Sequence, residues 1–175
     1  MEPKDLIVDA FGRISGLLKM SLKGLTAEQL AQRPTEGTNS IAWLAWHLSR
    51  VQDHHLSDLA HHDQAWVAEG WHARFEKPAD PHDTGFGYTP QQVAGIHPAG
   101  PEPLLDYHQA VYQRTLDYLA TVTPADLDVV LNEPQYDPMP TVGVRLVSVV
   151  SDNLQHAGQI AYLRGWIEGR RWFPA

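Results

Sequence analysis

Apolar side chains recur at three- and four-residue intervals in four separate stretches of this 175-residue chain. That spacing places them on one face of an α-helix, so each stretch predicts an amphipathic helix. The four helices are expected over roughly 4–22, 41–59, 103–119 and 141–168. Four such helices favour an all-α fold, a four-helix bundle, in which ligand and metal sites are built from side chains on facing helices.

Capping residues support these helix boundaries. Asn39 or Ser40 is a good N-cap for the second helix. Between the first and second helices, Thr26 followed three residues later by Gln29 predicts a brief capped turn, which Pro34 ends.

The longest connection, over residues 66–103, joins the second and third predicted helices and is rich in proline, glycine and aromatic residues. Unstructured loops of this length are uncommon in compact domains and often serve as lids or binding loops. The aromatic residues predict that this crossover packs on the bundle, and a short helix is expected around Val93 after Thr89 and Pro90. These aromatic residues are Trp66, Trp71, Phe75, Phe86 and Tyr88.

The composition excludes several classes of function. Thirteen basic against 21 acidic residues give a formal net charge of -8, which is unfavourable for binding nucleic acid. There is no run of about 18 apolar residues to span a membrane, and the N-terminus does not resemble a signal peptide, so we expect a cytoplasmic protein.

Without cysteine, the chain has no disulfide, thiolate nucleophile or thiolate metal ligand. Its length suits one domain over residues 1–175, and ten histidines are its unusual feature.

The fourth predicted helix carries polar side chains on its apolar face. On a helical wheel these residues fall among Val149, Ile160 and Leu163. An unpaired carboxylate on such a face costs several kcal/mol, so it needs a partner. The polar residues are Arg145, Asp152, Asn153 and His156.

Three interpretations compete for this polar face. In a hydrogen-bonded core network, Asp152 accepts from His156 or from Arg145. In the second interpretation this face meets solvent, and the true apolar stripe lies elsewhere on the helix. Two large apolar residues, Leu154 and Tyr162, lie off the stripe assigned above. In a metal site, Asp152 and His156, one turn apart, hold one divalent ion, and a third ligand comes from a facing helix.

The second predicted helix supplies candidates for that third ligand. His47 flanks its apolar stripe, and His55 lies near the centre of the stripe two turns later. The two are roughly 12 Å apart along the axis at 1.5 Å per residue, so both cannot bind one ion. His54 lies beside His47 on the wheel, whereas His61 and His62 at the helix end are expected in solvent.

Two segments resemble a known family. "TNSIAWLAWHLSRVQDHH" and, near the C-terminus, "VRLVSVVSDNLQHAGQIAYLRG" resemble the DinB/YfiT-like superfamily. More narrowly, they resemble its actinobacterial branch related to the mycothiol-dependent enzymes, and "DTGFGYTPQQVAG" is similar to a segment of that branch. The resemblance covers nearly the whole chain and implies a four-helix bundle with a divalent metal on its inner surface. It also implies a homodimer.

The resemblance also implies the metal ligands. The family's first ligand is a histidine in a W-x-x-W/G-H-L context, which His47 matches. Its other two ligands lie four apart in the last helix, usually as two histidines, and here they are Asp152 and His156. The mycothiol-dependent maleylpyruvate isomerases have glutamate at the first of these positions, one methylene longer than Asp152. Those isomerases have a further C-terminal domain, which is not found before Ala175, so that reaction is not carried over.

Two imidazoles and one carboxylate suit Zn²⁺ first, and also Ni²⁺, Fe²⁺ or Mn²⁺. Three protein ligands leave a position open, as in catalytic sites. An external thiol, mycothiol by resemblance, could bind there and lose its proton, which makes the chain a thiol S-transferase acting on a small molecule. The alternatives are a metal-dependent small-molecule hydrolase and a non-enzymatic, stress-related protein with a structural metal.

Three further residues are expected to have supporting roles at the site, and each also has a purely structural explanation. Arg145 binds a substrate carboxylate or simply pairs with Asp152. His55 lines the substrate pocket or acts as a base, or else packs in the core. Gln159 orients a metal ligand or is solvated on the helix surface. No residue is identified as a catalytic acid or base.

Overall fold

Eight α-helices and one 3-10 turn account for the regular structure of the computed structural model, which describes residues 2–172. In chain order these are α1 (Pro3–Leu22), α2 (Ala27–Ala31), α3 (Ile41–Leu59), α4 (Ala65–Ala68), α5 (Trp71–Arg74), α6 (Pro90–Ala94), α7 (Glu102–Thr121), the 3-10 turn Asp126–Asp128 and α8 (Val142–Glu168). Within the described residues the only β-pairing is an isolated bridge between Val130 and Thr141. The all-α prediction is confirmed.

The four predicted helices correspond to α1, α3, α7 and α8, with ends within a few residues of those expected, and the two predicted capping sites are observed. Ser40 caps α3 by accepting a hydrogen bond from the Trp43 amide at 3.1 Å. Thr26 and Gln29 form a reciprocal capping box at the start of α2, and this leaves fewer helix-end amides without partners.

The four long helices pack as a ring in which α8 contacts α1 and α3, and α7 contacts the same two helices. The α3–α8 contact is the most extensive of these. Gln52 of α3 bonds Asn153 of α8, and His47 lies beside His156, so the two helices run antiparallel. A seam between antiparallel helices is a place where side chains from both can meet at one point.

The crossover between α3 and α7 contains α4, α5 and α6, so it is a folded segment and not an unstructured loop. The predicted short helix around Val93 is α6, capped by Thr89. Trp66, Trp71 and Phe75 are buried in the main apolar cluster, as their aromatic character predicts.

Phe86 contradicts the prediction that the crossover aromatics pack on the bundle, because it is 91% exposed. Its neighbours Gly85 and Gly87 both have positive φ, +87° and +74°. At Gly85 a Cβ would come within 2.6 Å of the Trp46 ring. The backbone therefore lies directly on Trp46, and the turn carries Phe86 outward, away from the core.

Buried Arg50 fastens the crossover to α3. Its guanidinium donates to the carbonyl oxygens of Asp83 at 2.9 Å and Pro81 at 3.1 Å, and it lies over the Trp66 ring. Asp53, one turn along α3, faces the same guanidinium at 3.5 Å. The position of residues 81–84 is thus set by a charged group that is itself fixed in the bundle.

Within the described part of the chain, no helix is both long and apolar enough to cross a membrane.

Candidate metal centre

The α3–α8 seam brings together His47, Asp152 and His156. One potential ligand atom from each residue lies within 4.8 Å of the other two. The His47 side chain comes from α3, while Asp152 and His156 lie one turn apart on α8, as their i, i+4 spacing requires. This is the convergence expected from the sequence, and the binding of an ion by these residues remains a prediction.

Both imidazoles have their Nδ1 atom occupied by a protein group. His47 Nδ1 lies 2.6 Å from the carbonyl oxygen of Thr84, which can only accept, so Nδ1 carries the proton. His156 Nδ1 lies 2.9 Å from Oε1 of Gln159. The His47 ring therefore presents the lone pair of Nε2, and a partner on the other ring nitrogen, as both histidines have, is usual for metal-binding histidines.

The orienting role anticipated for Gln159 agrees with this hydrogen bond. Thr84 was not anticipated, because the group that contacts His47 is a backbone carbonyl and leaves no side-chain signal in the sequence. Trp43 forms the wall beside both histidines: its ring stacks on His47 with centroids 4.5 Å apart and meets His156 edge-on at 6.2 Å.

Asp152 is only partly satisfied by protein groups. Its Oδ1 lies 3.5 Å from Nε2 of His156, a long distance for a hydrogen bond. Its Oδ2 is buried and has no hydrogen-bond partner among residues 2–172. Burying an unpaired carboxylate oxygen costs about 1–3 kcal/mol or more, and a cation at this position would remove that cost. The donor set and the unpartnered oxygen both fit a divalent ion.

The polar face of α8 therefore divides into two parts. Asn153 belongs to a core network, since its amide donates to Gln52 at 2.8 Å and Gln52 donates to Thr115 at 2.7 Å. Asp152 and His156 lie at the edge of the seam. A hydrogen-bonded core network is thus present at Asn153, whereas the network expected for Asp152 is limited to the 3.5 Å contact with His156, and the metal-site interpretation fits these two residues.

The surroundings of His47 favour the neutral form of its imidazole. Burial lowers the pKa of His47, although its hydrogen bond to the Thr84 carbonyl opposes this. At His156, burial acts to lower the pKa, but the nearby Asp152 carboxylate and the hydrogen bond to Gln159 together raise it. Since a metal needs the neutral ring, ion binding at this site must release any proton held by His156.

A cavity of about 420 Å³ opens beside these residues and contains both predicted substrate-binding side chains, Arg145 and His55. His54, His82 and Thr84 also line it. Burial, followed by the charges of Arg145 and His54, lowers the pKa of His55 to about 4, so this ring is neutral at pH 7. The interpretation of His55 as a pocket residue fits this position better than core packing.

The alternative in which Arg145 pairs with Asp152 is wrong. The Arg145 guanidinium forms an ion pair with Glu133, from the segment that precedes α8. That segment lacks helical periodicity, so the sequence offered no means of placing Glu133 beside α8.

An all-α bundle with two histidines and one carboxylate converging at a helix seam is the architecture of a candidate metalloprotein. The profile of the DinB superfamily matches residues 15–160. The chain therefore belongs to the DinB superfamily, a family of metal-binding proteins.

Comparison with solved structures finds a similar one, titled "Crystal structure of the conserved protein of locus from Enterococcus faecalis". It is 28% identical, with a TM-score of 0.89 over 97% of this chain and 99% of that chain. A search of curated proteins finds no match.

Proposed function

We propose that this protein is a metal-dependent S-transferase that activates a small thiol at the His47–Asp152–His156 site. The observation that carries the proposal is the convergence of two imidazoles and one carboxylate, whose potential ligand atoms lie within 4.8 Å of one another, together with the buried Oδ2 of Asp152, which has no hydrogen-bond partner among residues 2–172. Three protein donors leave room for an exogenous ligand, which distinguishes catalytic from structural sites.

The chain's own residues would prepare this site before any ligand arrives. Thr84 fixes the tautomer of His47 that presents Nε2, and Gln159 orients the His156 ring. Trp43 excludes water from one side of both rings. Because the side chains are already oriented, little conformational freedom is lost when a ligand binds.

A divalent ion held by these residues would lower the pKa of a thiol bound to it and so favour the thiolate at neutral pH. The sulfur must come from outside, because the chain contains no cysteine. Resemblance to the mycothiol-dependent branch supports mycothiol as that thiol, and the ligand chemistry supports zinc as the ion.

Neutral His55 lies in the cavity next to the site. Its place in the proposal is to line the substrate pocket, because a pKa of about 4 makes it a poor proton acceptor at pH 7. His54 lies beside it, with ring centroids 5.0 Å apart. His55→Gln should therefore slow turnover while leaving metal content unchanged.

Metal content tests the first half of the proposal. Protein purified without chelators should contain one equivalent of zinc by elemental analysis. His47→Ala and His156→Ala should each lose it, whereas His55→Ala, a change of the same kind within the same cavity, should retain it. Metal that follows His55 and ignores His47 would show that the α3 ligand has been misidentified.

Thiol binding and transfer test the second half. In the Co²⁺-substituted protein, mycothiol should produce a sulfur-to-cobalt charge-transfer band, and conjugation of monochlorobimane should be metal-dependent and faster with mycothiol than with glutathione. If no thiol alters the cobalt spectrum and a water-derived ligand titrates near neutral pH, the site belongs to a hydrolase.

We also propose that two copies of the chain associate through the outer face of α8. This face exposes Val147, Leu154 and Tyr162, and exposed apolar patches often mark interfaces. Sedimentation velocity should show a dimer that Leu154→Glu dissociates. Leu6→Glu, at an exposed apolar position on α1, is the matched control and should leave the dimer intact.

A further inference from the structure

Two cavities adjoin beside the candidate metal centre. The metal-side cavity, of about 420 Å³, contains His47, Asp152 and His55. A second cavity of about 480 Å³ lies towards the start of α8. Tyr136, Arg145 and Ser148 line both, so the two spaces meet at these side chains. Each volume falls within the range of small-molecule sites.

The second cavity is mainly apolar. Pro138, Met139 and Pro140 form one side of it, and Val144 of α8 forms the other. Met139 and Val144 are large apolar side chains that remain exposed. Exposed apolar groups gathered around one concave site indicate a ligand that covers them.

Phe86 is the corresponding apolar group on the metal side. It lines the metal-side cavity although its side chain is almost wholly exposed. Gly85 and Gly87 hold it in this position, and Gly85 is fixed against Trp46. An aromatic ring placed at a cavity mouth by a fixed turn can pack on a bound molecule at little cost in conformational entropy.

Arg145 supplies the charge at the junction. Among the described residues, it is the only lysine or arginine that lines either cavity. Its Nη2 is paired with Glu133, and Nε and Nη1 make no hydrogen bond to the described part of the chain. A guanidinium with free N–H groups matches the geometry of a carboxylate.

We infer that the two cavities together bind an organic acid with an apolar substituent. The carboxylate lies on Arg145, the substituent occupies the space formed by Met139 and Val144, and Phe86 packs over the part nearest the metal centre. This inference rests on the proposed function, because it names the class of molecule that would bind next to a thiol held beside His47 and Asp152.

A matched pair of probes tests the inference without turnover. Calorimetry should show 4-phenylbutyrate binding at least tenfold more tightly than 4-phenylbutyramide, which has the same shape without the charge. Arg145→Gln should abolish this preference. Phe86→Ala and Met139→Ala should weaken acid and amide by the same factor, and Leu6→Ala, an exposed apolar residue on α1, should change neither.

Glu133→Gln keeps the inference testable if Arg145→Gln fails to fold. Removing the competing carboxylate should tighten binding of the acid several-fold and leave the amide unaffected. Equal affinity for acid and amide in the unmodified protein, or a preference that survives Arg145→Gln, would overturn the inference. So would unchanged acid binding in Glu133→Gln.

The outcome is separable from that of the proposed function. The calorimetric measurement uses no thiol and can be made on zinc-free and zinc-loaded protein. Acid binding without any thiol signal on cobalt leaves the ligand site standing and removes the transferase. A thiol signal without acid preference removes the ligand class alone.

Discussion

Asp53→Asn should be among the most destabilising conservative changes in this protein. The carboxylate is 2% exposed and accepts from the backbone amides of Ala65 at 2.9 Å and Trp66 at 2.8 Å. It also accepts from the Tyr107 hydroxyl at 2.9 Å and faces fully buried Arg50 at 3.5 Å. One side chain thus holds α3, α4 and α7 together.

The size of the loss in stability follows from two properties of the carboxylate that the asparagine amide lacks. An asparagine NH₂ at either oxygen position opposes a backbone N–H that needs an acceptor, and the charge that balances Arg50 is lost. Breaking a buried ion pair on one side costs about 3–5 kcal/mol. For a chain of this size each kcal/mol corresponds to about 2–4 °C in Tm, so a decrease of roughly 10 °C is expected.

Asp9→Asn is the matched control. Asp9 pairs with Arg13 at 2.6 Å, but the two side chains are 61% and 76% exposed. Exposed pairs contribute about 0–1 kcal/mol, so this variant should unfold within a few degrees of the parent. The same chemical change is thus made at a buried pair and at an exposed pair.

Urea unfolding followed by circular dichroism gives the free energies of both variants, and equal m-values would show that the extent of unfolding is unchanged. A loss at Asp53 within 1 kcal/mol of the loss at Asp9 would refute the reasoning. It would mean that the other acceptors of Arg50, the Asp83 and Pro81 carbonyls, balance its charge without a carboxylate.

Four further predictions concern the site and the core. Arg50→Met should loosen the segment that carries the Thr84 carbonyl and weaken zinc binding about 10–100-fold, measured by competition with a chromogenic chelator. Asp152→His should retain zinc, because it restores the commoner family pattern, whereas Asp152→Ala should lose it. Burial, and then the charge of Lys19, lowers the pKa of His108 to about 4, so folding loses stability as pH falls from about 6.5 towards 4. Between pH 7 and 5, His108 should lower the free energy of unfolding of the parent protein by about 2 kcal/mol. The His108→Gln variant should not show this decrease, as measured by urea unfolding at both pH values. Chymotrypsin should cleave zinc-free protein first after exposed Phe86, and 4-phenylbutyrate should slow that cleavage.

Local signals determined much of what could be predicted. The helix boundaries at Ser40 and Thr26 follow from capping chemistry, which involves only neighbouring residues. Asp152 and His156 could be paired because an i, i+4 spacing fixes their geometry within one helix. Choosing His47 over His55 needed the family resemblance, since helical periodicity allows either to face α8.

The contacts that could not be predicted involve segments without helical periodicity. The Thr84 carbonyl reaches His47 because buried Arg50 binds the two carbonyls at Pro81 and Asp83, and no local rule links these residues. Glu133 lies beside Arg145 for a similar reason, in a segment with no repeat to indicate its direction. The aromatic character of Phe86 predicted burial, but the glycines on either side decided the outcome.

If zinc binds at His47, Asp152 and His156, the bond from His47 to the Thr84 carbonyl couples that binding to the anchoring of the crossover. If an anchored crossover raises zinc affinity by a given factor, zinc must favour the anchored crossover over its detached forms by the same factor. Phe86, two residues beyond Thr84, belongs to the same anchored segment. Loading with zinc would therefore protect the Thr84–Phe86 backbone amides against hydrogen exchange, even though none of them touches the ion.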